Sequence, residues 1–396
     1  MRIKKSFQSY PWNWPVLGML PAVLMRLGNS NNDIIWVLEK NNLTFIFRGP
    51  WFTRLHGLIT VDPANIHHVL SSNFSNYIKG PKFKEYFDVF GDGIFNADTE
   101  LWKNLRMSSQ TVLNHQGFQN LSMSVTTSKL KDVILPLFSR FSEDGTVMDL
   151  QDVFRRLMFD ISLVTITGSD PQSLSIEMPE VEFAKAFDNA GEAILFRHII
   201  PRFLWELQKR MGLGKEKKLT EAGSTFDRIC TRYIFAKREE KRSTENDHDH
   251  SNGERRDSTS SALTWFFGLL SRNPHVEAKI RQEIKKNLPI AGTSQEGPWS
   301  AIDHKEFLNK LVYLHGALYE TMRLYPPVPF ERKSPIKSDV LPSGHKIDAN
   351  SHVIIPIYAL GRMRSLVKGH KIEPKPRLIL HMKHGLRVTL TKRGSA

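Results

Sequence analysis

Few side chains in this sequence have types and spacing that suggest chemistry. In Glu320-Thr321-Met322-Arg323 a carboxylate and a guanidinium stand three residues apart, on one face of any helix that contains them. Alone, such a pair is an ordinary surface contact worth about a few tenths of a kcal/mol. Trp102 and Arg106, four residues apart, read by themselves as helix packing and a surface charge. Asp257-Ser258 precedes an apolar stretch, where aspartate is most often a helix N-cap. The single cysteine, Cys230, falls among Phe226, Ile229, Tyr233 and Ile234 at three-four spacing, which predicts a small apolar residue on a buried helix face. His67-His68 point apart on a helix, Asp247-His248-Asp249-His250 is a solvated run, and His381 and His384 sit on a basic terminal segment. No metal-ligand set emerges from them.

The elements that must position these groups are mostly helical. A short helix over 33–40 is followed by β runs at 43–48 and 54–61, joined through Gly49-Pro50. Asp62-Pro63 opens a helix through Leu70. Asp98-Thr99 is expected to cap a helix from Glu100 to Leu113, and Leu150 to Thr165 aims Val153, Leu157, Phe159 and Ile161 at a core. From Lys237 to Ser261 there is no large apolar residue, so little there offsets the cost of ordering. Apolar patterning resumes at Ala262 and ends at Asn273-Pro274. Val276, Ile280, Ile284 and Leu288 then mark an amphipathic helix, and another over 308–324 stops at Pro326-Pro327.

Composition narrows the class. The 396 residues are 40% hydrophobic and 24% charged, which is globular usage and excludes collagen, coiled coil and wholesale disorder. One cysteine excludes a disulfide framework and any multi-cysteine metal site. The net charge is +14, and the segment from Gly361 onward holds ten Lys/Arg against one acid, Glu373. Those charges alternate with Leu378-Ile379-Leu380 and with 386–390, which reads as strands with one wet face and argues against nucleic-acid binding. The apolar stretch from Trp14 to Met25 is broken by Pro15 and Pro21 and is shorter than the ~20 residues a spanning helix needs. Surface contact with a membrane, helped by Lys4-Lys5, is compatible with it.

The helix carrying Glu320 and Arg323 exits into Leu324-Tyr325-Pro326-Pro327-Val328-Pro329. With Trp102-Lys103-Asn104-Leu105-Arg106, Arg256-Asp257-Ser258-Thr259-Ser260-Ser261, the entry 13–21 and Leu341-Pro342-Ser343-Gly344-His345-Lys346-Ile347, this combination resembles a cytochrome P-450 of the plant alkane and fatty-acid hydroxylase group. The resemblance implies a mainly α fold with small β-sheets, a haem cofactor, a lipid substrate and electrons from NADPH-cytochrome reductase. It also implies the cytosolic face of the endoplasmic reticulum for the family, and a cytosolic or peripheral location for a chain without the anchor. By the same resemblance Trp102 and Arg106 donate to the haem propionates, Asp257 and Ser258 match a proton-relaying acid–alcohol pair, and Glu320 with Arg323 belongs to a buried structural cluster.

The chain departs from the family pattern in two places. The polar run before Asp257 replaces the apolar first half of the family's central helix, which favours the N-cap for Asp257. The family's glycine-rich loop with its iron-ligating cysteine has no match: Tyr358 to Ser365 resembles the segment before that loop, and Leu366 to His370 resembles the segment after it. The sequence therefore predicts an incomplete P-450 fold: a proline-rich entry without a membrane anchor (1–30), an N-terminal part (31–236), a polar linker (237–261) and a C-terminal part lacking the cysteine loop and the next helix (262–396). The expected function is that of a truncated, inactive relative of a haem-thiolate monooxygenase. The alternative is a non-catalytic lipid-binding or regulatory protein.

Overall fold

A computed structural model describes residues 13–19, 21–22, 30–51, 56–243, 253–288, 305–363, 374–375, 381–382 and 385–391. Helices dominate, and the strands are short. The chain divides into two compact units, each assembled from separated stretches and not from one sequence block: 1–105 with 186–224 and 328–380, and 106–185 with 225–327 and 381–396.

The first unit is built on a five-stranded sheet. Thr44–Arg48 pairs antiparallel with His56–Thr60, which runs parallel to His352–Ile355. That strand pairs antiparallel with Glu331–Pro335, and Tyr77–Ile78 closes the edge. Alternate residues Leu58, Tyr77, Val353 and Ile355 meet Val69, Leu341 and Ile347 in one core cluster, while Val37, Leu38, Phe45 and Ile59 form another. Asp62 caps the Pro63–His67 helix by accepting from the N–H groups of Ala64 and Asn65. Residues 14–18 form a tight turn closed by a Trp14–Gly18 bridge. Gly18 is required there: its φ is +58°, and a Cβ would lie 2.4 Å from the carbonyl oxygens of Arg48 and Gly49.

The second unit packs Leu150–Thr167 against Gly253–Leu270. Val153, Leu157 and Ile161 face Ile134, Leu137, Met148 and Leu174, as the apolar spacing predicts. Asp149 caps the first of these helices through the N–H of Gln151 and also accepts from Leu386, tying down the strand pair Val147–Asp149 and Arg387–Thr389. Val388 packs on the core between exposed Arg387 and Thr389, the one-wet-face strand expected there.

Several expectations are corrected. The helix starting at 99 is present as Thr99–Asn114, but the Asp98 carboxylate accepts from the N–H groups of Lys79 and Gly80 instead of capping it. The helix expected over 308–324 is two, Lys305–Asn309 and Val312–Leu324. The second is capped at its start by Glu283, whose carboxylate accepts from the N–H groups of Tyr313 and Leu314. The polar segment 237–261 is helical at both ends, because Gly214–Ser243 runs into it and Gly253–Leu270 begins within it. Lys, Arg and Glu are good helix formers, so a run without apolar residues still extends a helix anchored elsewhere. Its middle, with the histidines of 247–250, lies outside the described residues, as do Lys4-Lys5, Leu378 to Leu380, His384 and the junction at Ser365-Leu366.

Candidate functional site

In the second unit, Glu320 and Arg323 lie on the Val312–Leu324 helix. Arg323 Nε donates to Glu320 Oε2 at 2.7 Å, and Nη2 donates to the other carboxylate oxygen. The side chains are 55% and 40% exposed. The arginine holds the Glu320 carboxyl below its ordinary value, and the carboxylate raises Arg323. The expectation of a buried cluster is thus corrected: this is a solvated i, i+3 pair, on a helix that also exposes Val312, Tyr319 and Met322.

Asp257 is not an N-cap. It is a residue of the helix that begins at Gly253, and Ser258 follows it half-buried. Beyond them the helix is buried on polar and apolar sides alike: Ser260, Ser261, Thr264 and Trp265 are all essentially inaccessible, and Thr264 Oγ1 donates to the Ser260 carbonyl at 2.7 Å. Trp265 stacks on Tyr325, and Phe267 on Phe154. The apolar half-helix is therefore covered by its own unit, despite the polar run before it.

Cys230 sits on the Gly214–Ser243 helix and is exposed, not on the buried face that its spacing suggests. Phe226 one turn earlier is buried. The atoms that do cover the Cys230 thiol, with the Asp227 carboxylate beside it, raise its pKa, so it stays a thiol at neutral pH. A thiol held in that form is a poor metal ligand. Among the described residues no group of three or more His, Cys, Asp and Glu side chains is arranged to hold a metal ion.

Trp102, in the first unit, is half-buried and leans on Phe74, with ring centroids 5.8 Å apart. Arg106, one turn further along the same helix, is exposed.

The first unit also holds a group that sequence reasoning missed. Arg332, on the strand Glu331–Pro335, is 7% exposed, and no carboxylate pairs with it among the described residues. Its Nε has no hydrogen-bond partner. Nη2 lies 3.0 Å from Nε2 and 3.1 Å from Nδ1 of His352, and the guanidinium sits over the Tyr86 ring, 5.0 Å from its centroid. His352 accepts only as a neutral imidazole. Burial and the charge of Arg332 push its pKa down to about 3. His198 is pushed down to about 4 by burial and by the same guanidinium. Burial lowers Arg332 itself to about 10, still charged at neutral pH. The signal in the sequence is weak: Glu331-Arg332-Lys333 reads as a solvated charged run, and only strand alternation in a covered sheet turns Arg332 inward.

The pattern, a helical protein with small sheets whose Glu-x-x-Arg helix exits into a proline-rich irregular segment, is that of one family. The Cytochrome P450 family model matches residues 253–366. An alkane hydroxylase of Arabidopsis thaliana, MAH1, is 40% identical over 96% of this chain and 93% of that protein. A noroxomaritidine synthase of Narcissus aff. pseudonarcissus MK-2014 is 36% identical over 94% and 77%, and cytochrome P450 86B1 of Arabidopsis thaliana is 32% identical over 98% and 87%. This chain belongs to the cytochrome P450 family, the haem-dependent monooxygenases, and these relatives are plant proteins. The alignment with the alkane hydroxylase runs over 477 positions, more than the 396 residues of this chain, so that relative carries segments without a counterpart here.

The residues present do not fit the family's haem as a whole. Buried Arg332, with its orphaned Nε, and the Trp102 indole have the donor chemistry that carboxylates require. The thiolate that should ligate the iron is missing from the fit, because the only sulfur nucleophile is an exposed helical thiol with a raised pKa.

Proposed function

We propose that this chain is a non-oxygenating member of its family, shortened internally from a lineage that hydroxylates long aliphatic chains. The observation that carries the proposal is the position of Cys230 on a regular helix, exposed and held as a thiol, where no loop of backbone N–H groups turns toward its sulfur. Two facts support it: the family model's match ends at Leu366, beside the junction where the cysteine loop is expected, and the alkane hydroxylase aligns over more positions than this chain has residues. The aliphatic substrate class rests on that relative's name. Trp102, Arg106, Asp257 and Ser258 are then remnants of a haem-propionate and proton-relay apparatus, and the lineage's reductase partner and endoplasmic-reticulum address do not by themselves restore oxygenation. The test is spectroscopic. The full chain, offered haem, reduced and treated with carbon monoxide, is expected to lack the thiolate-type absorbance band. A stoichiometric thiolate spectrum that disappears in Cys230→Ser overturns the reading and assigns the ligand to Cys230.

A second reading, a non-catalytic lipid-binding protein, is favoured by Arg332. A buried guanidinium that no carboxylate among the described residues pairs with is matched to the head of a fatty acid. Palmitate binding by the full chain should weaken by about tenfold or more in Arg332→Met, as expected for one lost charge-assisted contact. Equal affinity in the two proteins sinks this reading and leaves the first untouched.

A further inference from the structure

The Val312–Leu324 helix, in the second unit, packs one side on Gly253–Leu270 and Pro274–Asn287 and leaves the other uncovered among the described residues. At 100° per residue, Val312, Tyr313, Gly316, Tyr319, Glu320 and Arg323 fall within one sector of about 120°. All six are exposed, Val312 at 72% and Tyr319 at 66%. Thr321, on the opposite side, is buried, and so are Leu311 and Tyr325, which bracket the helix. The helix is therefore anchored at both ends while large apolar groups of its outer side stand in water, where polar side chains are the rule.

The middle of this face is a glycine. Gly316 lies four residues after Val312 and three after Tyr313, and three before Tyr319 and four before Glu320. A Cβ there would meet nothing within 4 Å. Glycine inside a helix costs stability relative to alanine, and no turn or crowded neighbour within this chain requires it. What it offers is a hollow between large side chains, where the axis of another helix can come close. The two flanks of the hollow differ. On one, Tyr313 lies under the Lys279 ammonium, 5.6 Å from the ring centroid, and Glu320 follows two turns later. The nearby Glu283 carboxylate is engaged by the N–H groups of Tyr313 and Leu314. On the other flank, Val312 is followed two turns later by Tyr319. The helix itself carries one acid, Glu320, against one Lys/Arg, Arg323, so this face is close to neutral in a chain of net charge +14.

We propose that this face is the interface of a two-fold dimer of the chain, in which two Val312–Leu324 helices cross antiparallel at Gly316. A two-fold axis in the plane of the contact reverses the helix ends and keeps the flanks, so each contact occurs twice. Tyr319 of each copy then lies beside the partner's Val312, and Glu320 lies beside the partner's Tyr313 and the partner's Lys279. Charge complementarity selects a second copy as the occupant, because the basic start of one flank meets the acidic end of the same flank on the other chain. The Tyr319–Val312 contacts around the hollow supply the affinity. The solvated charges, with Glu320 still shared by Arg323, set the register and add little to it. The inference is independent of the oxygenation question, since it reads association and not haem.

The test is sedimentation velocity of the full chain between about 1 and about 100 μM, the range in which a small interface dissociates. The parent is expected to pass from monomer to dimer and to stop there, since a two-fold interface closes on itself. Gly316→Gln fills the hollow and should weaken the dimer by about tenfold or more, as expected for an obstruction at the centre of an interface. Its monomer should melt at or above the temperature of the parent monomer, because glutamine is the better helix former and its Cβ has open space. Tyr319→Ser should weaken the dimer several-fold. Glu320→Lys should do the same, and the exchange Glu320→Lys/Lys279→Glu should restore association, as a contact between copies requires. The proposal fails if the parent stays monomeric at about 100 μM, the result expected where another part of the chain covers the face. It fails equally if association continues past two, if Gly316→Gln dimerises as tightly as the parent, or if the charge exchange restores nothing.

Discussion

Trp265 lies flat on Tyr325, with ring centroids 3.9 Å apart and planes within 5° of parallel. Trp265 is completely buried, and Tyr325 is the first residue after the Val312–Leu324 helix, at the entrance to Pro326-Pro327. The stack therefore clamps the end of one helix to the middle of another inside the second unit. Truncating a buried tryptophan typically costs about 3–5 kcal/mol, against about 5–15 kcal/mol for a whole domain. Trp265→Ala is expected to abolish a cooperative melt of the second unit or to lower its midpoint by many degrees. A midpoint unchanged from that of the parent chain would mean that the stack does not form in solution.

Glu320→Ala should do little. Its carboxylate is 55% exposed and its arginine 40%. Exposed pairs of this spacing contribute about 0.3–0.5 kcal/mol, and salt screens them. A denaturant midpoint shifted by less than the scatter of replicate measurements is the expected outcome. A loss of about 3 kcal/mol, the cost of stripping a partner from a buried cluster, would show that the pair is covered after all. The contrast with Trp265→Ala locates the stability of this region in its aromatic clamp and not in its charge pair.

Stability should fall as the solution is acidified through the titration of His352 and His198. Both are neutral in the folded chain, with pKa values pushed to about 3 and about 4 by burial and by Arg332. Lys82 adds to the effect on His352 and Arg197 to that on His198, while the Ile194 carbonyl, accepting from His198 at 2.8 Å, opposes it. In the unfolded chain each histidine binds a proton near pH 6.5. The folded-state preference is therefore fully present above pH 6.5 and is lost as pH falls from there toward 4, at up to about 1.4 kcal/mol per pH unit for each histidine. Urea unfolding at pH 7, 5.5 and 4.5 should show this slope, and His352→Gln should flatten part of it. An equally steep slope in that variant would assign it to carboxylates elsewhere.

The helices, the strand pair at 44–60 and the core face of Leu150–Thr167 are legible in the sequence, because their apolar periodicities are local and strong. Cys230 is misplaced by its spacing, since a three-four pattern identifies a stripe but not which residue at its margin a neighbouring element covers. Asp257 reads as a cap because the residues before it are polar, yet polarity without Pro leaves a helix free to start earlier, as it does at Gly253. Of the candidate site, the Glu320–Arg323 pair is legible from its spacing, whereas Trp102 and Arg106 stand out only through the family resemblance. Arg332 is not. Its burial depends on the pairing of Glu331–Pro335 with His352–Ile355, twenty residues away in sequence, and a charged triplet gives no hint of which member turns inward. The outward face of Val312–Leu324 is equally hidden, because apolar residues surround that helix and only tertiary contacts decide which side meets the protein.

Replacing Arg332 by methionine should leave the first unit as stable as before, or stabilise it. The guanidinium is buried and charged, its Nε bonds to nothing, and no carboxylate among the described residues offsets its desolvation. What it gains is the Tyr86 ring, worth about 0.5–2 kcal/mol, and one hydrogen bond to a neutral imidazole, worth about 1.5–3 kcal/mol as a charge-assisted bond. The cost of holding an ion out of water is several kcal/mol, and well-packed apolar side chains that replace buried ions are often neutral or stabilising by about 1–4 kcal/mol. Methionine keeps most of the volume and leaves no large cavity. The variant should also move both histidines toward their ordinary value, since Arg332 depresses each of them. The acid-side loss of stability should then begin at the same pH but end earlier. Denaturant curves at pH 7 and pH 4.5 check both statements. A destabilisation of about 3 kcal/mol or more at pH 7, the cost of breaking a compensated buried pair, would mean that the guanidinium is matched in solution by an anion. Adding carboxylates to the parent chain should then raise its midpoint while leaving that of the variant unmoved.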